Sequence, residues 1–259
     1  MERLLPDLSF RVWAVWRRDF DVFRRLFLVN FALPLLEPLL YLVALGYGLG
    51  MFVKDIHGIS YSRFIAPGLV SMATMYAAFF ECTYSSFVRM YYQRTFDAII
   101  ATPANVDEVV AGEILWGATR SALNATLVFV VVTLFGLAPV WLLPLVTVFG
   151  FMCGVMFGSL GMIATALVPS IDMFNWPFFL FITPMFLFCG TFFPMSSLPR
   201  AVQIASFLVL PLSHVVLILR ATLLGQAYTG LLWSLGWLLV VGSAAFLVSI
   251  RLMRRRLIK

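Results

Sequence analysis

Charge is scarce in this sequence. Only 12% of its 259 residues are Asp, Glu, Lys or Arg, against about 25% in an average soluble domain, so a water-soluble globule is excluded. Lysine is scarcer still. Neither Lys54 nor Lys259 follows a Gly-x-x-x-x-Gly-Lys-Ser/Thr loop, so the chain has no recognisable phosphate cradle and any ATP hydrolysis falls to another subunit. The two histidines, His57 and His214, are far apart and there is no H-E-x-x-H. Gly158-Ser159-Leu160-Gly161 is no nucleophile elbow either, because that motif needs glycine where Phe157 stands. These absences argue against an enzyme. Cys82, Cys153 and Cys189 all fall in apolar runs. An odd count in such places is no disulfide framework, and the thiols read as buried packing residues.

What the chain has in quantity is apolar sequence, 62% of its residues. Uninterrupted runs of about 18 or more such residues read as membrane-spanning helices. Six are expected, over 31–50, 64–88, 113–134, 141–168, 174–193 and 231–250. The first is too long for the core of a cleavable signal peptide. An even number puts both termini on one side. With the termini in the cytoplasm, cytoplasmic segments hold 13 of the 18 basic residues, whereas Lys54, Arg63, Arg200 and Arg220 lie outside. The positive-inside rule favours that orientation. The basic ends read as the anionic inner membrane rim and not as a nucleic-acid surface. Residues 201–224 are apolar enough to suggest a seventh span, but Pro199 precedes them and Pro211, Ser213 and His214 interrupt them. They read as two short helices that dip into the outer leaflet and return. The fold class is all-α and polytopic, in one domain over 1–259 without internal repeats.

Before the first span, Trp13, Trp16, Phe20, Phe23 and Phe27 repeat at helical spacing, with Arg11, Arg18 and Arg25 on the other side. This predicts an amphipathic helix on the inner membrane face, either a lipid anchor or a partner-binding helix. Gly150, Gly154 and Gly158 lie at i, i+4 and i+8 in the fourth span. Such a stripe lets another helix come close, either within the chain or at a moving or dimerising interface. Glu37, Glu81 and Arg120 fall inside spans, where each charge costs roughly 2.5–3.5 kcal/mol near a helix centre. Their distances from the span ends put them in one layer, in which Arg120 pairs with Glu81 or Glu37. That layer serves as a static ion pair, a polar floor to a substrate path, or the proton relay of an ion-coupled secondary transporter. Glu37 has a further reading as a first-turn residue after Pro34, favoured by the helix dipole.

The stretch RTFDAIIATPANVDEVVAGE, from Arg94 to Glu113, joins the second and third spans. Phe96, Ile99 and Ile100 share one helical face, with Arg94 and Asp97 opposite. Thr102-Pro103 ends that helix, because a residue before proline avoids the helical region. Asn105 with Glu108 three residues on then reads as a capping box that starts a new helix. The product is a two-part elbow, which is either a simple interfacial loop or a surface for a partner.

Several segments in this order and spacing resemble the membrane subunits of type-2 ATP-binding-cassette exporters, nearest to permeases that export nodulation factors (lipo-oligosaccharides). They are WAVWRRDF at Trp13, LEPLLYLVALGYGLG at Leu36, RMYYQRTFDAIIATP at Arg89, GEILWGATRSAL at Gly112, SLGMIATALVPSIDMF at Ser159 and LPLSHVVLILR at Leu210. The resemblance implies a homodimer in the bacterial cytoplasmic membrane, bound to two separate ATPase subunits that carry ATP and Mg. This chain would hold no cofactor of its own. It further implies a coupling helix over 94–103 that docks in the ATPase, using Arg94, Thr95, Phe96, Asp97, Ala98, Ile99, Ile100, Thr102 and Pro103. An interface helix would lie over 9–27, with Trp13, Trp16, Arg17, Arg18, Asp19 and Arg24, and a re-entrant outer segment over 199–224. The expected activity is export of an amphipathic, lipid-linked or lipo-oligosaccharide-like substrate from the cytoplasm or inner leaflet.

Overall fold

The computed structural model describes residues 6–25, 36–53, 55–56 and 58–258. It is mostly helical. Helix α1 is Val12–Arg25 and α2 is Leu36–Met51. A minimal antiparallel hairpin follows, β1 Asp55–Ile56 against β2 Ile59–Ser60, turning through Gly58 at φ +77°. Then come α3 Tyr61–Tyr92, α4 Thr95–Ile100, α5 Val106–Leu134, α6 Val140–Leu167, α7 Ile171–Phe188, α8 Arg200–Val209, α9 Pro211–Leu224 and α10 Leu231–Leu257.

Five of these, α3, α5, α6, α7 and α10, are long and apolar enough to cross a membrane. They match five of the six expected spans. The expected first span is described only as α2, and its residues 31–35 lie outside the described residues. Alone, α2 is short for a crossing at 1.5 Å per residue. Helices α8 and α9 meet at 95°. The corner is local chemistry: Pro211 is the first residue of α9, and Leu210 before it is extended at φ −99°, ψ 107°, as a residue before proline prefers.

Helix α3 is the most enclosed span and packs between α5, α6 and α9, while α10 lies along α6. The main core joins Ile65, Leu69 and Met75 of α3 to Phe129, Phe157 and Leu212, all essentially solvent-free. A second, smaller core gathers Phe87, Phe96, Val110, Met162, Phe174 and Met253 at the end of the bundle where α4 lies. The three cysteines are buried free thiols. Arg220, expected among the exposed outer charges, is buried instead. Its guanidinium sits 3.9 Å from the centre of the Phe64 ring, and Nη2 donates to the Gly190 carbonyl at 2.6 Å. Carbonyl and ring replace the water that a loop arginine would have.

The glycine stripe resolves in favour of packing within the chain. A Cβ on Gly150 would stand 2.8 Å from the Ala125 Cβ, and one on Gly154 only 2.7 Å from the Ala118 Cα. Gly158 faces Cys82 and Ile114. The stripe therefore seats α6 on α5 with almost no side chain between the backbones, and Ser121 Oγ bonds both Thr74 O and Gly150 O across the seam. We expect Gly154→Val to destabilise the purified chain by about 1–3 kcal/mol through overpacking. Gly236→Ala on α10, which has open space around it, should be neutral or stabilising by about 0.5–1 kcal/mol. Thermal melts in detergent check both. Equal midpoints for the two variants would refute the seam.

Candidate coupling site

Two features sit side by side at the α4 end of the bundle: an exposed elbow and a buried ion cluster. The elbow begins where α3 ends. Its last turns, Glu81–Ser85 and Val88–Tyr92, are wide π turns, which re-aim side chains that a regular helix would stack. Arg94 then takes a left-handed conformation at φ 54°, ψ 27°, alone in this among the described non-glycine residues. That costs roughly 1–2 kcal/mol for a residue with a Cβ. It turns the chain sharply into α4. Thr102 Oγ1 donates to Ile99 O at 2.6 Å, and Pro103 follows. Asn105 caps α5 as expected: its side chain accepts from the Glu108 amide at 2.9 Å, and the Glu108 carboxylate accepts from the Asn105 amide at 2.9 Å.

The elbow is pinned from two other elements. The Asp7 amide donates to Asp107 at 2.7 Å, Ser9 donates to the Glu108 carboxylate, and Arg11 Nη1 donates to Pro103 O at 2.7 Å. From α10, Arg254 reaches Asp107 through Nε at 2.5 Å and through Nη2. One coupling-helix residue needs correction as a surface group. Phe96 is completely buried in the second core, so it anchors α4 and offers nothing to a partner. Arg94, Asp97, Ala98, Thr102 and Pro103 are exposed, and Thr95, Ile99 and Ile100 half-buried.

The ion cluster centres on Glu113, which is wholly buried. Its carboxylate accepts from Arg18 Nη2 at 2.7 Å, Arg89 Nη2 at 2.5 Å and Ser86 Oγ at 2.6 Å. Arg89 also donates to Glu81 Oε1 at 2.9 Å, and the Trp116 indole donates to that oxygen at 3.1 Å. Arg120 Nε lies 3.7 Å from Glu81 Oε2, so of the two expected partners the near one is Glu81. Glu37 is elsewhere, in a small recess with Tyr41, Tyr76 and Asn124, and the single layer of three charges does not form. Glu37 lines that recess against residues of α3 and α5, whereas Glu81 sits beside Arg89, Trp116 and Arg120.

Helix α1 is built into this cluster. Val15, Asp19 and Phe23 form its buried stripe, and Val15 packs where a Cβ on Gly112 would come within 2.6 Å. Trp16 donates to Thr119 Oγ1 at 2.9 Å, and Trp13, Trp16 and Phe20 stack in sequence, with Trp16 and Phe20 edge-on to Trp116. Arg17 and Arg24 are exposed. Arg18 was expected on the outer face. It turns inward, bonding Asp19 at 2.7 Å as well as Glu113, because two buried carboxylates outcompete water for it. Arg89, Ser86 and Glu113 were not singled out from sequence. The available signal was the capping box: counting from Asn105 puts Glu113 two turns inside α5 and not at the start of a span.

Asp19 shows what burial does here. Removal from water, then the charge of Glu113, pushes its carboxyl up to about 7, against the opposing pull of Arg89 and Arg18. A folded pKa above the unfolded one means the favourable contribution is complete below about 3.8 and is lost as pH rises through about 7. Wild-type melting temperature should therefore fall more steeply between about pH 4 and pH 7 than that of Asp19→Asn; parallel curves would refute this. Glu113→Ala leaves Arg18 and Arg89 without their main acceptor and should cost about 3–5 kcal/mol, measured by denaturation in detergent. Arg120→Ala should cost clearly less.

The chain matches the family description "ABC-2 type transporter" over residues 11–224. It is 39% identical to nodulation protein J of Rhizobium leguminosarum bv. viciae, with 98% of each chain covered. It is 36% identical to the protein of that name from Rhizobium meliloti (strain 1021), over 98% of this chain and 96% of that one. The inner membrane transport permease YadH of Escherichia coli (strain K12) is 25% identical over 93% and 94%. No solved structure matches. The residues that resembled type-2 exporter permeases thus fall within a match that spans most of the chain, and the protein is a multi-pass membrane permease subunit of the ABC-2 type transporter family.

Proposed function

We propose that this chain is the membrane pathway of an ATP-driven exporter. In that reading it works as a homodimer with two separate ATPase subunits, in the bacterial inner membrane, with both termini cytoplasmic. ATP and Mg are held by those partners, and α4 with the exposed rim of the elbow is the surface they push. The substrate is amphipathic, of the lipo-oligosaccharide kind, and leaves from the cytoplasm or inner leaflet outward. Helix α1 lies along the inner membrane face as the interface helix, and the bent pair α8–α9 re-enters from the outer side.

The observation that carries the reading is the build of the elbow. Its six-residue helix presents Asp97 and Ala98 outward and is anchored inward by Phe96, and the elbow as a whole is joined to α3 and α5, bonded to α10 through Asp107 and bonded to the N-terminal segment through Pro103. A loop with no load to bear has no need of four attachments. For a partner's nucleotide states to drive transport, they must contact this surface differently. Because α4 sits at the junction of α3 and α5, a displacement there reaches Arg89 and Glu113 directly. The proton-relay reading is disfavoured by geometry, since Glu37 stands apart and Glu81 is already held by Arg89 and Trp116.

Co-expression with the neighbouring ATPase subunit tests this. Asp97→Arg and Ala98→Trp should lower substrate-stimulated ATP hydrolysis at least tenfold while shifting stability by no more than about 0.5 kcal/mol, as exposed positions do. Phe96→Ala should instead cost about 3–5 kcal/mol by leaving a cavity. Full stimulation in both surface variants, or transport by vesicles that hold this chain alone under a proton gradient, would sink the proposal.

A further inference from the structure

Between α1, α3 and α5 lies an open cleft of about 520 Å³. Its floor is the outer side of the ion cluster. Its walls mix apolar groups, Val22 and Phe23 from α1, Val88 from α3 and Trp116 from α5, with the polar Tyr84, Ser85, Gln93 and Thr95. Within it, Arg18 Nη1, Asp19 Oδ2 and Arg120 Nε are each buried without a hydrogen-bond partner, and of the three arginines Arg120 is the least satisfied. Arg89 and Arg18 each donate to carboxylates. Among the described residues Arg120 donates no hydrogen bond. Its partners are the Phe23 ring, 4.9 Å from the guanidinium, and Glu81 at 3.7 Å, which is too long for a hydrogen bond. Its Nε is buried without an acceptor, and the side chain keeps only 17% of its exposure.

A guanidinium held this way has a planar fork of donors and a specific appetite for oxyanions. Glu81 does not satisfy it, because Oε1 is held by Arg89 and Trp116 and Oε2 stays 3.7 Å from Arg120 Nε, beyond hydrogen-bond range. Nor does the cluster repel an incoming anion as a whole. Arg18, Arg89 and Arg120 face Asp19, Glu81 and Glu113, so the charges balance, and Asp19 holds a proton over part of the neutral range. We propose that this cleft binds the phosphate-type oxyanion of an amphiphile, with Arg120 as its principal ligand and the Val22–Phe23–Trp116 wall against the first apolar atoms of the molecule. The site rests on the permease reading only for the position of α1 at the membrane surface, which puts the cleft at headgroup depth. Occupancy ties α1, α3 and α5 together at one more point, next to the Glu113 hub.

The test uses the full purified chain, without ATPase or transport, so its outcome is separable from that of the exporter proposal. Native mass spectrometry counts the lipid retained from mixed micelles holding phosphatidylglycerol and a phosphate-free galactolipid of equal chain length. The wild type should retain phosphatidylglycerol at least tenfold over the galactolipid, from the strength of charge-assisted hydrogen bonds. Arg120→Gln should abolish that preference. So should Val22→Trp, which fills the mouth from an exposed position without touching a charge and covers the case of a misfolded Arg120 variant. Arg200→Gln, on α8 and away from the cleft, should keep it. Millimolar inorganic phosphate should not displace the lipid. Equal retention by wild type and both cleft variants overturns the site. Displacement by inorganic phosphate as readily as by soluble phosphatidylglycerol overturns the amphiphile.

Discussion

A carboxylate taken out of water must be met by cations and donors or it does not stay charged. Glu113 is where this fold meets that demand, and the neighbouring architecture follows from it. Arg18 comes from α1, while Arg89 and Ser86 come from α3. None of the three elements can leave without stranding a charge. In a bundle whose contacts are mostly apolar and non-directional, this group specifies how α1, α3 and α5 stand relative to one another. The wide turns of α3 belong to the same solution, since they let Glu81 and Arg89, eight residues apart, meet at 2.9 Å.

The elbow and the cluster share their two supporting helices. Arg89 and Arg94 are five residues apart on α3 and its turn, and Asn105 and Glu113 lie within the first turns of α5. Between them is the second core, in which Phe96 and Val110 are fully enclosed. Packed side chains at native density transmit displacement and do not absorb it. In the proposed exporter, a load on the outward face of α4 would pass into the ionic hub through α3, α5 and a solid apolar filling. Arg94 adds a stiff corner. A residue with a side chain, held in a backbone region that glycine would occupy freely, keeps the angle between α3 and α4 only because the surrounding bonds enforce it.

Much of this was legible in the residues. Hydropathy located five of the six expected spans, the capping box marked the start of α5, Pro211 marked the corner of the bent pair, and the Thr102-Pro103 break ended α4. Local rules sufficed because each rests on a few adjacent residues. What escaped depended on rotation and partner choice. Glu37, Glu81 and Arg120 shared a depth by counting, yet Glu37 takes a separate recess with Tyr41, Tyr76 and Asn124. Arg18 belonged to an outward stripe by periodicity, yet the pull of Glu113 and Asp19 decided its direction. Arg220 counted among the outer charges by position, yet it is buried against the Phe64 ring and the Gly190 carbonyl. Glu113 went unnoticed because a charge near a span's edge reads as its boundary, and only the helix that begins earlier reveals it as interior.

The glycine seam has a mechanical meaning. Gly150, Gly154 and Gly158 repeat every four residues against Ala125, Ala118 and Ile114, so their spacing works like the teeth of a ratchet. Shifting α6 by one residue along α5 would drive Phe151 or Val155 into gaps sized for a hydrogen atom, and the next register that fits lies a full turn away, about 6 Å at 1.5 Å per residue. These two spans therefore behave as one plank. Any rocking or sliding that opens a passage must be taken up by the more loosely seated helices, α7 and α8 above all.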